Sequence, residues 1–219
     1  MSTTAGPSVL RLITIGPMPA SATFDSMMRE EVLPAVLALD DIVDARVGRR
    51  FGPADVDERV VATFWTTREA MDAALATYPL TRIEQDVNGK TEILPLAIDL
   101  SFDRPDDPAR ILRIFRGQIR PGELELYVED ARQGATADGA TSHGPSAFFL
   151  CPLPPSRFVS LSLWGDWTEI ELSTGGNIRH PIATHHAERV VSGQAAHFEI
   201  LPSGGASSSV TARALGGGR

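Results

Sequence analysis

Cysteine is nearly missing from this 219-residue chain: Cys151 is the single one, so no internal disulfide can form and a reducing, cytoplasmic setting is expected. No apolar run reaches the roughly 18 residues of a membrane-spanning helix, so no membrane partner is expected. Positive charge is in deficit. Twenty Lys and Arg against 28 Asp and Glu give a net charge of -8, which argues against a nucleic-acid partner, because such proteins carry a basic stripe. Met1 to Pro7 has neither a basic stretch nor an apolar one, so secretion is not expected. The chain holds no P-loop, no GxGxxG fingerprint, no CxxC pair and no GxSxG elbow, and no cofactor is expected.

An internal echo is present instead. Val9-Leu10-Arg11-Leu12-Ile13 reads like Ile111-Leu112-Arg113-Ile114-Phe115. Val60 to Trp65 reads like Val159 to Trp164, and Ile93-Leu94-Pro95 like Ile200-Leu201-Pro202. Three matches in one order at nearly one offset predict two copies of a small fold.

Periodicity fills in the elements. Strands are predicted at Val9 to Ile15, Ile42 to Arg50, Arg59 to Trp65 and Glu92 to Leu100. A helix from about Phe24 to Leu39 carries Pro34, which kinks or divides it, and a second helix runs from Arg68 to about Tyr78. The order is β-α-β-β-α-β, the ferredoxin-like unit. It begins again with a strand at Ile111 to Gly117 and a helix ending near Ala131. A loop at 134–144 and strands at Ala147 to Leu150 and Phe158 to Trp164 follow. A short helix from Thr168 stops at Gly175-Gly176, a second helical piece covers Ala183 to Val191, and Ala195 to Leu201 closes the unit. The expected organisation is a flexible leader over 1–8, a first unit over 9–103, a linker over 104–108, a second unit over 109–202 and a disordered tail over 203–219. A lone unit leaves one sheet face bare, so two sheets packed face to face are expected. That makes the chain an α+β pseudo-dimer, as a monomer or as a homodimer.

With that order, the strand that ends in tryptophan and runs into a helix, Phe64-Trp65-Thr66-Thr67-Arg68-Glu69 and again Leu163-Trp164-Gly165-Asp166-Trp167-Thr168-Glu169, resembles the dimeric α+β barrel superfamily. Within it the chain is similar to the antibiotic biosynthesis monooxygenase type of domain, in tandem. The resemblance implies one of several activities: cofactor-free oxygenation of aromatic polyketides, cyclisation, haem chemistry, or none. In its cofactor-free oxygenases a Trp and an Asn near the third strand, with nearby Arg or Tyr, surround an electron-rich phenol. Trp65 and Trp164 match the Trp; Thr63 and Ser162 stand where the Asn would be sought.

Trp65 and Trp164 are large flat surfaces for an aromatic ligand, or core residues holding the next helix. His180 and His185 are candidate bases for a phenol or enol, or solvated loop residues beside His186; His197, in a strand, reads as half-buried and structural. The second copy has diverged more around Gly175-Gly176. A pocket is therefore expected there, lined by Trp164, Trp167, Tyr127, Phe149 and His180 or His185, with Trp65 as its counterpart in the first copy. The leading expectation is a small-molecule enzyme, a cofactor-independent oxygenase or cyclase for an aromatic or polyketide-like substrate. A non-catalytic ligand-binding or structural protein is the alternative. A haem protein with an axial histidine from 180–186 is the third.

Overall fold

The structure is a computed structural model and describes residues 6–16, 22–51, 58–77, 89–104, 108–180 and 187–202. The expectations placed on His185, His186, most of the 104–108 linker and the 203–219 tail lie outside those residues.

Among the described residues, alternating and continuous apolar runs give nine antiparallel strands. They are β1 (Val9–Ile15), β2 (Ile42–Arg50), β3 (Arg59–Trp65), β4 (Lys90–Pro95), β5 (Ile98–Ser101), β6 (Ile111–Ile119), β7 (Ala147–Leu153), β8 (Arg157–Trp164) and β9 (Val190–Ile200). The helices among the described residues are α1 (Ala22–Met27), α2 (Leu33–Leu37), α3 (Arg68–Thr77), α4 (Leu124–Gly139) and α5 (Trp167–Ser173). A π turn, Met28–Val32, joins α1 to α2. Pro34 sits in the first turn of α2 and has no N–H to give to the preceding turn, which accounts for the interruption.

All nine strands form one sheet in the order β4-β1-β3-β2-β9-β6-β8-β7-β5. Two separate sheets were expected. Instead β2 and β9 hydrogen-bond along Gly48↔Ile200, Arg49↔Glu199 and Arg50↔Phe198. Left apart, those two strands would each expose a row of unpaired backbone groups. Gly48 lets them approach, since a Cβ there would stand 2.7 Å from that of Phe198. The two halves still share an interior: Leu10, Leu12, Phe64 and Leu94 pack in one core with Leu112, Phe149, Leu161 and Phe198.

The predicted fourth strand divides. β4 pairs with β1, whereas β5 pairs with β7, so the chain crosses from one half of the sheet to the other within Leu96 and Ala97. The Ala97 carbonyl there accepts from Arg132 Nη2 of α4 at 2.7 Å. α4 also runs to Gly139, through what was expected to be a loop. Its Gly134, Ala135 and Gly139 are buried, and their small size lets the helix lie close; the Phe102 ring occupies the place of a Gly139 side chain. Of the helical piece expected over Ala183 to Val191, the described part is a 3₁₀ turn at Ala187–Arg189, and β9 begins at Val190.

Gly117 of β6 and Gly193 of β9 face each other, and a Cβ on them would overlap the Phe158 and Phe115 rings respectively. Gly117→Val is expected to cost about 1–3 kcal/mol by overpacking. Urea unfolding checks it, and an unchanged midpoint would mean that the rings do not need that space.

Candidate functional site

Strand alternation sorts the side chains of β6. Leu112 and Ile114 point into the shared core; Ile111, Arg113 and Phe115 point to the face that α4 and α5 cover. Across from them on that face stand Trp164 and Ser162 of β8 and His197 of β9. Trp164 is fully buried against Ile111 and Ile170, with Trp167 and Ile178 at its margin. Its indole Nε1–H donates to Ser162 Oγ at 2.8 Å. α5 begins beside it with a capping box: Asp166 accepts from the Glu169 N–H at 3.0 Å while Glu169 reaches back to the Asp166 N–H. Gly175 and Gly176, with φ of 66° and 87°, end the turn that follows α5.

The first half has the same arrangement. Trp65 lies opposite Val9 as Trp164 lies opposite Ile111, and its Nε1–H donates to Thr63 Oγ1 at 2.9 Å. Thr63 and Ser162 thus hold the indoles. They do not offer the amide that the resemblance led one to seek.

Arg113 is the unusual group on this face. It is 1% exposed. Its Nη2 donates to the backbone carbonyl of His180, its guanidinium lies 5.3 Å from the Phe115 ring centre, and its Nε is buried with no partner. Burial lowers its pKa to about 10, with Tyr127 acting the other way, so it remains a cation at neutral pH. His197, directly across on β9, is 6% exposed, and its Nε2 is also buried without a partner. Burial, then Arg113, then Arg50 lower its pKa to about 4, so the ring is neutral. The Trp167 ring centre lies 5.4 Å from that imidazole, and Phe51 packs on Trp167 at 4.2 Å.

Between α4 and the sheet lies a cavity of about 30 Å³, walled by Arg113, Phe115, Tyr127, Phe148 and Ser160 among others. Burial pushes the Tyr127 hydroxyl well above its ordinary pKa, with Arg113 opposing, so it stays a donor. An open groove of about 830 Å³ lies along Ile111, Asp166, Trp167 and Glu199. On the helix-covered face of the first half, Phe24, Met28, Leu33 and Val36 fill the space over Ile13 and Val47.

The expected site residues therefore separate. Tyr127 lines the small cavity, Trp167 lines the groove, and Trp164 is sealed beside Trp167. Phe149 points into the shared core, 4.4 Å from Phe64. Trp65 is buried in the first half with Met71. His180 is exposed, its ring Nε2 lies 2.9 Å from Asn177 Nδ2, and it is its carbonyl that meets Arg113. Among the described residues no group of three His, Cys, Asp or Glu could hold a metal ion. Sequence reasoning missed Arg113 and took His197 for a plain structural residue. The available signal was an arginine inside an apolar strand at the same place in the two echoed stretches, Arg11 and Arg113.

No protein-family model and no curated protein matches the sequence. Solved structures do match. A candidate monooxygenase from Lactobacillus acidophilus NCFM superposes with a TM-score of 0.68 at 10% identity, over 90% of this chain and 95% of its own. Another from Fusobacterium nucleatum subsp. nucleatum gives 0.69 at 8% identity, over 91% and 94%. An anthrone oxidase-like protein gives 0.56 at 11% identity, over 90% and 92%. With its curled antiparallel sheet and helices on the outer face, the chain has the dimeric α+β barrel fold.

Proposed function

We propose that the protein is an oxidative small-molecule enzyme, monooxygenase-like, acting on a phenol or enol of an aromatic, polyketide-like compound. We place its site in the second half, under α4. The carrying observation is the cavity bounded by Tyr127 and Arg113, on a face that the first half fills with apolar side chains. The names of the similar structures support the oxidative reading. At about 30 Å³ the cavity has room for a water or a dioxygen and not for a ring, so the reading requires α4 to move outward on binding. The strand orders β4-β1-β3-β2 and β9-β6-β8-β7 support two tandem ferredoxin-like units, the second catalytic and the first its scaffold.

In this reading Tyr127 donates a hydrogen bond to the substrate oxygen, and the Arg113 charge favours loss of its proton. The resulting anion reacts with dioxygen at the carbon that shares its charge, which in an anthrone lies across the central ring from the oxygen. For a methylene flanked by aromatic rings, one oxygen atom becomes the ketone oxygen and the other leaves as water with the two hydrogens. The substrate supplies all four electrons, so no external reductant is needed. Among the described residues of the 180–186 segment, the His180 ring is exposed and bonded to Asn177, which does not suit an axial haem ligand.

An oxygen electrode tests the proposal with a hydroxyanthrone as probe. The expected result is uptake of one dioxygen per anthrone above the uncatalysed rate, with Tyr127→Phe lowering kcat/KM by about 10- to 100-fold. No uptake above the blank would sink the enzymatic reading and favour a non-catalytic binding protein.

A further inference from the structure

Three other arginines withdrawn from solvent in this chain have carboxylates. Arg59, 2% exposed, meets Asp25 at 2.7 Å; Arg104 meets Glu169 at 3.4 Å; Arg189 meets Asp130 at 2.9 Å and Glu123 at 3.2 Å. Arg113 is buried at least as deeply and meets a backbone carbonyl alone, with no acidic side chain in ion-pair reach among the described residues. The segment that follows His180, Pro181 to His186, contains no Asp or Glu. A buried cation without a counter-ion is costly, and structures rarely retain one without use. Two polar atoms on this face that have no partner among the described residues, Arg113 Nε and His197 Nε2, belong to directly paired residues.

We propose that Arg113 and His197 form a binding site for a single carboxylate, the acidic group of the protein's small-molecule ligand. The charge count selects a monoanion. Arg113 contributes one positive charge, His197 none, and the nearby Arg50 is already held by Glu58 at 2.9 Å. A dianion such as phosphate would leave a buried negative charge without compensation. The guanidinium edge matches the two oxygens of a carboxylate, and the imidazole tautomer with its proton on Nε2 supplies a further donor. Phe115 and Phe148, on the wall of the adjoining cavity, give the body of such a ligand an apolar surface. The inference deepens the reading above. It rests on that reading only in taking the ligand to be the substrate, which would then be an aromatic acid whose carboxylate takes up the Arg113 charge and whose phenol or enol is left to the Tyr127 hydrogen bond.

The experiment is an NMR titration of the full chain, following the Arg113 Nε–H and the His197 ring nitrogens. The probes are benzoate, benzamide as its neutral analogue, and nitrate as an inorganic monoanion. Benzoate is expected to move both resonances saturably and benzamide to move neither. Arg113→Met is expected to weaken benzoate at least about 10-fold, as for loss of a charge-assisted hydrogen bond, while melting no lower than the wild type. Three outcomes would overturn the proposal: no benzoate shift, equal shifts with benzamide, or nitrate binding as tightly as benzoate. Oxygen uptake is read separately, so carboxylate binding without turnover would keep this site and remove the enzymatic reading.

Discussion

Trp164→Ala and Trp65→Ala are each expected to lower stability by about 3–5 kcal/mol, a large share of what a domain of this kind possesses. Both indoles are fully buried, and both have their single N–H satisfied by a strand hydroxyl two residues earlier. Alanine removes the ring contacts, opens a cavity between strand and helix, and leaves the hydroxyl of Thr63 or Ser162 without its donor. Ser162→Ala is a smaller test of the same point. It orphans the buried Trp164 N–H and should cost about 1–3 kcal/mol. Urea midpoints measured at constant slope check all three. A loss below about 1 kcal/mol for Trp164→Ala would show that the indole is not a core member. It would return Trp164 to the ligand-stacking role that its place in the sequence suggested.

That contrast shows where the sequence was legible. Val9–Ile15, Ile42–Arg50 and Arg59–Trp65 were readable to the residue because β-branched side chains, alternation and flanking Gly or Pro all agree there. The echo of Val9 to Ile13 in Ile111 to Phe115 was visible because both stretches present apolar residues to one interior, Leu10 and Leu12 beside Leu112 and Ile114. The division of β4 from β5 was not, since Ile93 to Leu100 reads as one apolar run, and the bend at Ala97, where the neighbouring strand changes, leaves no mark in that pattern. The second half of α4 was hidden by Gly134 and Gly139, which signal a loop until a sheet is known to lie against them. Phe149 was placed at the site by composition, whereas the strand period puts it on the other face. Arg113 was hidden for a different reason. A charged residue in a strand reads as solvent-facing, and only the covering of β6 by α4 and the chain around His180 makes it a buried cation.

Acid should expose His197. In the unfolded chain its imidazole takes a proton near its ordinary value of 6.5, but in the folded protein only near 4, held down by burial and by Arg113 and Arg50. Between those values the unfolded state binds more protons, so the contribution is complete above about 6.5 and is lost as pH falls toward 4. Lowering the pH from 7 to 4.5 should therefore remove about 2.5 kcal/mol through this residue alone. Carboxylates titrate in the same range. The comparison is therefore with His197→Gln, which keeps a polar side chain there and removes the titration; the difference between the two proteins isolates the imidazole. Equal acid sensitivity in both would mean that His197 is hydrated or already protonated in the fold. A bound carboxylate should act on the same balance. By offsetting the Arg113 charge it raises the folded-state pKa of His197, so saturating benzoate should shrink the acid loss in the wild type and leave His197→Gln unaffected. If benzoate protects both proteins equally, it does not sit beside His197.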